Sequence, residues 1–475
     1  MKYLITRLCL YLLVATAAVA QPTIVALSGT TISRSDRLLI RGSGFGSMQG
    51  GGHVEISGVV APLTRWSDTL IAAYIPETAS TGTGNVRVFA SDGTASNRAT
   101  LKVSLRPAPQ GRILWRFRAD ADYIESRPAV ADDGTIYTID VSGHLYALAP
   151  DGGLKWIFNA SGGSGNVSLG ADGTIYTGNT IAVFALRPDG SLRWQFMQDP
   201  AAFIFLGPNV GPDGNIYAVG TEGMGIFSLT SQGAVRWSVP ENYDRPIVTL
   251  QEIVFGTAAQ SQLYFHANHH VRGLGLDGSE IFTLPEGLST LQGDPQPAVS
   301  PNGTLYTNMF SAIGSGLALG ALDKRGNLLG SIFDRFDNST NILSTPDVGR
   351  DGVIYDGRNL AELYAIRPRG TVKWLHSDKG ILFAPVVSPL NNVIFVGGIV
   401  TYGEPGFFEA IRVANGHSLG RVLLPSENGG RVVPMSRPRF APDGQAVYIG
   451  TSIPGQSEDN LYSYLYGVST KVAQH

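Results

Sequence analysis

The stretch LYALAPDGGLKW at Leu145–Trp156 decides the fold of this chain, because similar copies follow as VFALRPDGSLRW at Val183–Trp194 and LYAIRPRGTVKW at Leu363–Trp374. Each copy joins an apolar segment to a turn that ends in Gly, with Trp four residues later. Such turn residues supply positive backbone dihedrals, and the flanking apolar and aromatic residues suit pleated strands. The recurrence of this hairpin pattern predicts a propeller or a solenoid.

Two signatures each recur eight times. The first is a Gly with an aromatic residue, in most copies, at the fourth position after it: Gly111 and Trp115, Gly152 and Trp156, Gly190 and Trp194, Gly233 and Trp237, Gly278 and Phe282, Gly326 and Gly330, Gly370 and Trp374, Gly416 and Gly420. The second is an apolar strand after a turn, with an aromatic residue at Tyr137, Tyr176, Tyr217, Tyr264, Tyr306, Tyr355, Phe395 and Tyr448. A further strand in several copies follows a Pro, as in Arg127-Pro128-Ala129-Val130 and Arg437-Pro438-Arg439-Phe440.

Four short strands in each unit predict propeller blades, so the fold class is all-β. The chain enters the repeats with a lone Trp-type strand, Gly111–Phe117, and leaves them without one. We therefore predict eight blades, closed by the first strand completing the last blade. Fusion of two irregular units around residues 240–345 would give seven blades instead.

The repeated LYALAPDGGLKW phrase resembles the pyrroloquinoline-quinone-like (PQQ-like) propeller superfamily over residues 111–468, with 469–475 as a tail. That superfamily includes quinoprotein alcohol dehydrogenases and non-enzymatic members similar to the assembly factor of the outer-membrane β-barrel machinery. The resemblance implies that the repeat aromatics form a structural girdle between blades. These residues are Trp115, Trp156, Trp194, Trp237, Phe282 and Trp374.

Residues 22–106 alternate apolar and polar positions over short segments, which predicts a small sandwich. The sequence LLIRGSGFG at Leu38–Gly46, followed by WSDTLIAAYIP at Trp66–Pro76, resembles an immunoglobulin-like IPT/TIG domain. The resemblance implies a spacer or protein-binding module. Residues 107–110 are then a short, stiff linker.

Residues 1–20 have the pattern of a signal peptide: Lys2 and Arg7, an apolar run, and Ala18-Val19-Ala20 before Gln21. We expect an exported protein, periplasmic or extracellular, without a transmembrane span in the mature chain. Cys9, the single cysteine, lies early in the apolar run, so we expect neither a lipoprotein nor disulfides. The net charge of −3 and the export signal argue against nucleic acid as a partner.

A quinone-dependent oxidoreductase requires pyrroloquinoline quinone with calcium, and only this alternative assigns a cofactor to the chain. No residue matches the catalytic motif of that family, so no catalytic or cofactor-binding residue is assigned and an enzyme is the less favoured interpretation. His266 and His270, in FHANHH, are candidate metal ligands if a hairpin brings them together, although exposed histidines also suit plain surface.

The favoured function is a non-enzymatic binding or scaffold protein whose propeller loops contact an envelope or extracellular protein or a glycan. Only 15% of the residues are charged, which suits such contacts better than the steering of ions. The alternatives are an envelope assembly factor for outer-membrane proteins and the oxidoreductase. The candidate loops are Pro240–Gln251, Asp334–Thr345, Gly398–Phe408 and Ser452–Asn460.

Overall fold

A computed structural model describes most of the chain as strands and turns. The described residues are 21–162, 165–179, 181–197, 204–220, 225–240, 253–267, 270–284, 296–310, 317–333, 345–358, 361–377, 380–400, 405–426, 430–454, 456 and 461–471. They form two compact units. One contains the described residues up to Ile32 and Leu38–Ser104, and the other contains Ser33–Arg37 and the described residues from Leu105 onward. The predicted signal peptide lies outside the described residues.

The first unit is a sandwich of two antiparallel sheets. One sheet contains β1 (Thr23–Leu27), β3 (Arg37–Ser43), β6 (Leu63–Trp66) and β7 (Leu70–Tyr74). The other contains β2 (Thr31–Ser33), β4 (His53–Ile56), β5 (Val59–Val60), β8 (Gly82–Phe89) and β9 (Ala99–Ser104). Alternate residues of both sheets, such as Ile40, Ile71 and Val88, share one buried core, as expected for the immunoglobulin-like sandwich.

The Gly-x-Gly-Phe bend explains why this unit needs its glycines. Phe45 is fully buried, and an ideal Cβ on Gly42 would lie 2.5 Å from the Phe45 ring and closer still to the carbonyl oxygen of Thr23. The Asp68 carboxylate accepts a hydrogen bond of 3.0 Å from the Gly46 amide. The bend is therefore fixed by the Ser-Asp-Thr segment that precedes β7.

In the second unit the described strands form eight sheets of four or five strands, which we call blades 1 to 8. Blade 1 contains β11 (Ala129–Val130), β12 (Ile136–Ile139), β13 (His144–Leu148) and β14 (Leu154–Asn159). Blade 2 contains β15 (Ser168–Leu169), β16 (Ile175–Gly178), β17 (Ala182–Leu186) and β18 (Leu192–Met197). Blade 3 contains β19 (Ile204–Val210), β20 (Ile216–Gly220), β21 (Gly225–Leu229) and β22 (Val235–Val239). Blade 4 contains β23 (Val254–Phe255), β24 (Gln262–Ala267), β25 (His270–Gly275) and β26 (Glu280–Thr283).

The second half of the repeat region continues the series. Blade 5 contains β27 (Ala298–Val299), β28 (Leu305–Phe310), β29 (Leu317–Leu322) and β30 (Leu328–Phe333). Blade 6 contains β31 (Asp347–Val348), β32 (Ile354–Arg358), β33 (Glu362–Ile366) and β34 (Val372–Ser377). Blade 7 contains β35 (Ile381–Leu382), β36 (Val386–Val387), β37 (Val393–Ile399), β38 (Gly406–Arg412) and β39 (Ser418–Leu423). Blade 8 contains β40 (Val433–Pro434), β41 (Arg439–Phe440), β42 (Ala446–Ser452), β43 (Ser463–Ser469) and β10 (Ile113–Ala119).

The ring is closed by the first propeller strand, as the phase of the repeat predicts. Strand β10 pairs antiparallel with β43, with Trp115 opposite Gly467 and Phe117 opposite Leu465. The short first strands of neighbouring blades contact one another, for example β11 with β41 and β31 with β36. These strands, several of them the Pro-marked segments of the sequence, therefore line the centre of the propeller. The eight separate sheets favour eight blades over seven.

Neighbouring blades are joined by an indole that fits against a glycine. In blades 1, 2, 3, 6 and 8 the Trp Nε1–H of the outer strand donates to a turn carbonyl of the following blade. The five bonds are Trp115 to Pro150, 2.9 Å; Trp156 to Pro188, 2.9 Å; Trp194 to Ser231, 2.9 Å; Trp237 to Leu276, 3.0 Å; and Trp374 to Val413, 2.8 Å. The ring then covers the glycine of that turn. At Gly152, with a φ of 84°, an ideal Cβ would lie 2.5 Å from the Trp115 ring.

In the five blades that contribute an indole, the repeat Tyr packs against that indole from inside the same blade. Tyr137 and Trp156 have ring centroids 5.8 Å apart, and Tyr355 and Trp374 have centroids 5.7 Å apart. Tyr355 is fully buried and Tyr137 is 3% exposed. Burial of such aromatic pairs contributes a few kcal/mol in each blade, on the order of 1.5–3 kcal/mol per large apolar side chain. The two sequence signatures thus meet in space as one recurring cluster.

Candidate functional site

The aspartates of the repeated Asp-Gly turns hold the turns and pair with basic residues of the same blade. Lys155, Arg193, Arg236 and Lys373 stand directly before the repeat Trp residues, and they pair with turn aspartates. These pairs are Lys155 with Asp133 at 3.9 Å, Arg193 with Asp172 at 2.8 Å, Arg236 with Asp213 at 3.4 Å, and Lys373 with Asp351 at 3.7 Å. Hydrogen bonds from Arg193 and Thr174 lower the pKa of Asp172 to about 2. These carboxylates therefore stabilise the turns in which they lie.

The candidate metal ligands His266 and His270 lie on the hairpin formed by β24 and β25. The register pairs His266 with Val271 and His270 with Ala267, so the two histidines are not opposite one another. The turn Asn268-His269 and the side chains of His266 and His270 lie outside the described part of the chain. Within the described ranges, no three His, Cys, Asp or Glu side chains are grouped to hold a metal ion.

Of the four candidate loops, Pro240–Gln251 and Asp334–Thr345 lie almost entirely outside the described residues, and parts of Gly398–Phe408 and Ser452–Asn460 do as well. All four connect strand ends on the same side of the propeller. The turn between the first and second strands of each blade lies at the other ends of those strands. The turns between the first and second strands, on the opposite face, are all described.

One repeat position forms a rim on that face, which we call the turn rim. It is the residue directly before the Asp or Asn of the turn between the first and second strands. Its exposed members are Asp132, Ala171, Pro212, Pro301, Arg350, Leu390 and Pro442. Leu390 is a large apolar residue of this rim and is 64% exposed. Five of its seven members are Ala, Pro or Leu, side chains that lose little conformational entropy on contact.

Inside the turn rim lies a cavity of about 480 Å³ that we call the channel mouth. Blades 1, 6, 7 and 8 line it, and its charged residues are Arg127, Asp132, Asp347, Arg350 and Arg439. Apolar atoms of Val130, Val348, Pro389, Phe440 and Pro442 line the rest, among other residues. The mouth thus combines guanidinium groups with an apolar wall.

Asp347 is held firmly in this wall. Its carboxylate accepts hydrogen bonds from the amides of Val387, at 2.8 Å, and Val348, at 3.1 Å, and pairs with Nη2 of Arg437 at 3.3 Å. The cross-strand neighbour of Asp347 is Tyr355. Burial, followed by the charges of Asp351 and Asp347, raises the pKa of the Tyr355 phenol. Tyr355 therefore stays protonated beside these carboxylates.

Neither the turn rim nor the channel mouth is among the sites that the sequence patterns predicted. The signal was present, since the rim is one position of the repeat and Arg127, Arg437 and Arg439 are in the quoted Pro-marked segments. A comparison of repeat positions for exposed apolar residues would have found the rim. Grouping Asp347 and Arg350 with Arg439 requires the closed ring, because blades 6 and 8 are separated by a whole blade.

Family models match two segments of the chain. The model for the IPT/TIG domain matches residues 22–103, and the model described as outer membrane protein assembly factor BamB matches residues 99–245. No curated protein sequence matches the chain. Among the residues that the structure describes, no helix has the length and apolar character needed to cross a membrane.

Solved structures match the fold. BamB from Moraxella catarrhalis has a TM-score of 0.53 and 18% identity, covering 76% of this chain and 98% of that chain. The quinohemoprotein alcohol dehydrogenase from Comamonas testosteroni has a TM-score of 0.53 and 13% identity, covering 76% of this chain and 77% of that chain. Similarity at these identities shows the fold alone.

Residues 99–245 match the BamB model, and the sheets of the second unit have the fold of a β-propeller. In this particular chain an IPT/TIG domain precedes the propeller in sequence.

Proposed function

We propose that this chain is a non-enzymatic binding protein that holds a protein partner on its turn rim. The observation that carries the proposal is the rim itself, where four of the seven exposed residues of one repeat position are Pro or Leu. The packed blades hold these turns in place, so little conformational entropy is lost when a partner binds. Exposed apolar residues that are held at one rigid repeat position offer a partner protein a preorganised contact surface.

The place of action that fits this proposal is outside the cytoplasm, in the periplasm or beyond the cell. The support is the pattern of residues 1–20, with its basic start, apolar run and Ala18-Val19-Ala20. N-terminal sequencing of the protein from cell fractions tests it. A mature protein that begins at Gln21 is expected, and an unprocessed cytoplasmic protein would overturn it.

The test of the binding function is site-specific photo-crosslinking in the producing cells. A photoreactive amino acid is placed at Leu390 or Pro442 on the rim and, as matched controls, at the exposed outer-strand positions Leu192 or Met197. We expect one protein to be crosslinked from both rim positions and not from the controls, with loss of that product in Leu390→Asp. Equal products from rim and control positions would contradict the proposal, as would quinone- and calcium-dependent oxidation of alcohols by the purified protein.

A second candidate is an assembly factor for outer-membrane proteins. The match of residues 99–245 to the model described by that function favours it. Under this reading, the crosslinked partner is a component that inserts envelope β-barrels, and deletion of the gene lowers the amount of several outer-membrane proteins. An unchanged outer-membrane protein profile after deletion would leave the general binding role and exclude this one.

A further inference from the structure

We propose that the channel mouth binds carboxylate groups of an acidic segment carried by the protein partner. This inference rests on the proposed binding function and names the chemistry at its centre. The mouth is lined by three arginines, Arg127, Arg350 and Arg439, and two aspartates, Asp132 and Asp347. Arg350 and Arg439 are exposed, while Arg127 is half-buried.

Asp347 is half-buried and has partners of its own in the wall of the cavity. Asp347 is already compensated by Arg437 at 3.3 Å and by the amides of Val387 and Val348. Arg437 is not among the residues that line the cavity, so it lies behind the wall. By formal charge the lining has three arginines and two aspartates, so positive charge exceeds negative charge there, on a chain whose net charge is −3.

The position of these arginines in the ring strengthens the electrostatic field that they produce. A concave surface with apolar walls focuses the field of its charged groups, and guanidinium groups bind carboxylates through two parallel hydrogen bonds. Phe440 and Val386 are buried in the wall, at 5% and 4% exposure, and lower the local dielectric constant. A carboxylate at the mouth thus meets arginines from blades that flank the channel.

The chemistry favours a short peptide over a long polyanion. The volume of about 480 Å³ is in the range of small-ligand pockets, and holds only a few side chains. The net charge of −3 argues against nucleic acid as the occupant. Flanking apolar residues of a peptide would cover the rim at Leu390 and Pro442.

The experiment uses the full mature protein and a fluorescently labelled probe, the acetylated and amidated peptide Leu-Glu-Glu-Leu-Glu-Leu. Binding is measured by anisotropy at low and at physiological salt. Two further arms are the same peptide with Gln in place of Glu, and the Gln peptide with a free C-terminal carboxylate. These arms separate side-chain carboxylates from a terminal carboxylate as the bound group.

We expect the Glu peptide to bind, with affinity that falls as salt rises, and the amidated Gln peptide to bind at least tenfold more weakly. The double variant Arg350→Gln, Arg439→Gln should lose at least tenfold in affinity. The matched control is Lys324→Gln, Arg325→Gln, which removes two exposed charges from an outer turn on the same face. Circular dichroism verifies that both variants are folded.

Equal binding of the Glu and amidated Gln peptides, or equal losses in the two double variants, would overturn the inference. Displacement of the Glu peptide by inorganic phosphate at equal concentration would also overturn it, by identifying a site for small anions. If the rim still crosslinks its partner in the Arg350, Arg439 variant, the binding function stands and only the carboxylate inference fails. If the Glu peptide binds but no partner is crosslinked at the rim, the binding function fails by itself.

Discussion

Blade 7 meets its two neighbours in different ways. At its junction with blade 6, Trp374 covers Gly416 and donates to the carbonyl of Val413. At its junction with blade 8, the corresponding position is Gly420, and Arg112 occupies the space and donates to the Gly420 carbonyl at 3.2 Å. Arg112 also donates to the carbonyl of Ser469 at 3.3 Å.

The difference follows from the path of the chain. Every other junction ends on a continuous turn between the third and fourth strands of the next blade. In blade 8 those strands are β43 and β10, which come from opposite ends of the repeat region, so no such turn connects them. An indole at this junction would have no turn carbonyl to donate to. The long side chain of Arg112 takes its place and donates to several carbonyls at strand ends. Burial lowers the pKa of Arg112, as expected for a cation surrounded by protein.

The largest effect is expected from breaking the indole junction. Trp374→Ala removes a side chain that is 9% exposed, together with its hydrogen bond, and should lower the free energy of unfolding by about 4 kcal/mol. Trp374→Phe keeps a ring and loses the donor, with an expected cost of about 1 kcal/mol. Urea denaturation followed by far-ultraviolet circular dichroism measures both.

Trp156→Ala is the control for this prediction, because the Trp156 side chain is only half-buried. Its loss should be clearly smaller than that of Trp374→Ala. Equal losses would mean that burial of the indole does not set the strength of a junction.

An intermediate effect is expected from breaking the arginine junction. Arg112→Met keeps the apolar stem and removes the donors to three carbonyls, which should lower the free energy of unfolding by about 2 kcal/mol. Limited proteolysis should then cut the chain near β10 sooner than in the wild type. Arg367→Met removes an exposed arginine that donates to one carbonyl, that of Val372, and is expected to change stability little. An equal loss of stability in both variants would show that Arg112 has no particular role in ring closure.

The smallest effect is expected in the pH dependence of stability at the junction between blades 6 and 7. His376, beside Trp374, lies with Nε2 3.6 Å from Oε1 of buried Glu409, which also pairs with Arg421 at 2.7 Å. Interaction with Glu409 raises the pKa of His376 above its usual value of 6.5, although burial and Arg421 oppose it. A raised pKa in the folded state adds stability that is complete below pH 6.5 and is lost as pH rises through the folded value.

The stability difference between the wild type and His376→Gln should therefore be largest below pH 6.5 and should shrink at higher pH. Thermal unfolding across pH 5–9 gives the two profiles. His417→Gln, at an exposed position in the following turn, is the control, and its profile should run parallel to that of the wild type. A constant difference for His376→Gln would refute the coupling.

The sequence predicted the blades and the closing strand because both depend on patterns within one repeat or on the phase of the repeats. Gly152 and Trp156 stand in one repeat, but the ring that covers Gly152 is that of Trp115, from another blade. Spacing alone does not reveal such contacts between blades. For the same reason the repeat pattern could not predict that Arg112 takes the place of an indole. Arg112 belongs to no repeated position near Gly420. The turn rim was within reach of the sequence, whereas the channel mouth required knowledge of which blades meet around the axis.

The pairing of Trp115 with Gly467 also sets the order in which the molecule can be completed. Blades 1 to 7 each form from neighbouring segments as the chain emerges, but blade 8 has to wait until its last strand arrives. Joining strands so distant in sequence carries a loop-closure entropy on the order of 5 kcal/mol, and it is a slow, non-local step. Until β43 arrives, β10 has an unpaired edge, and exposed strand edges favour aggregation.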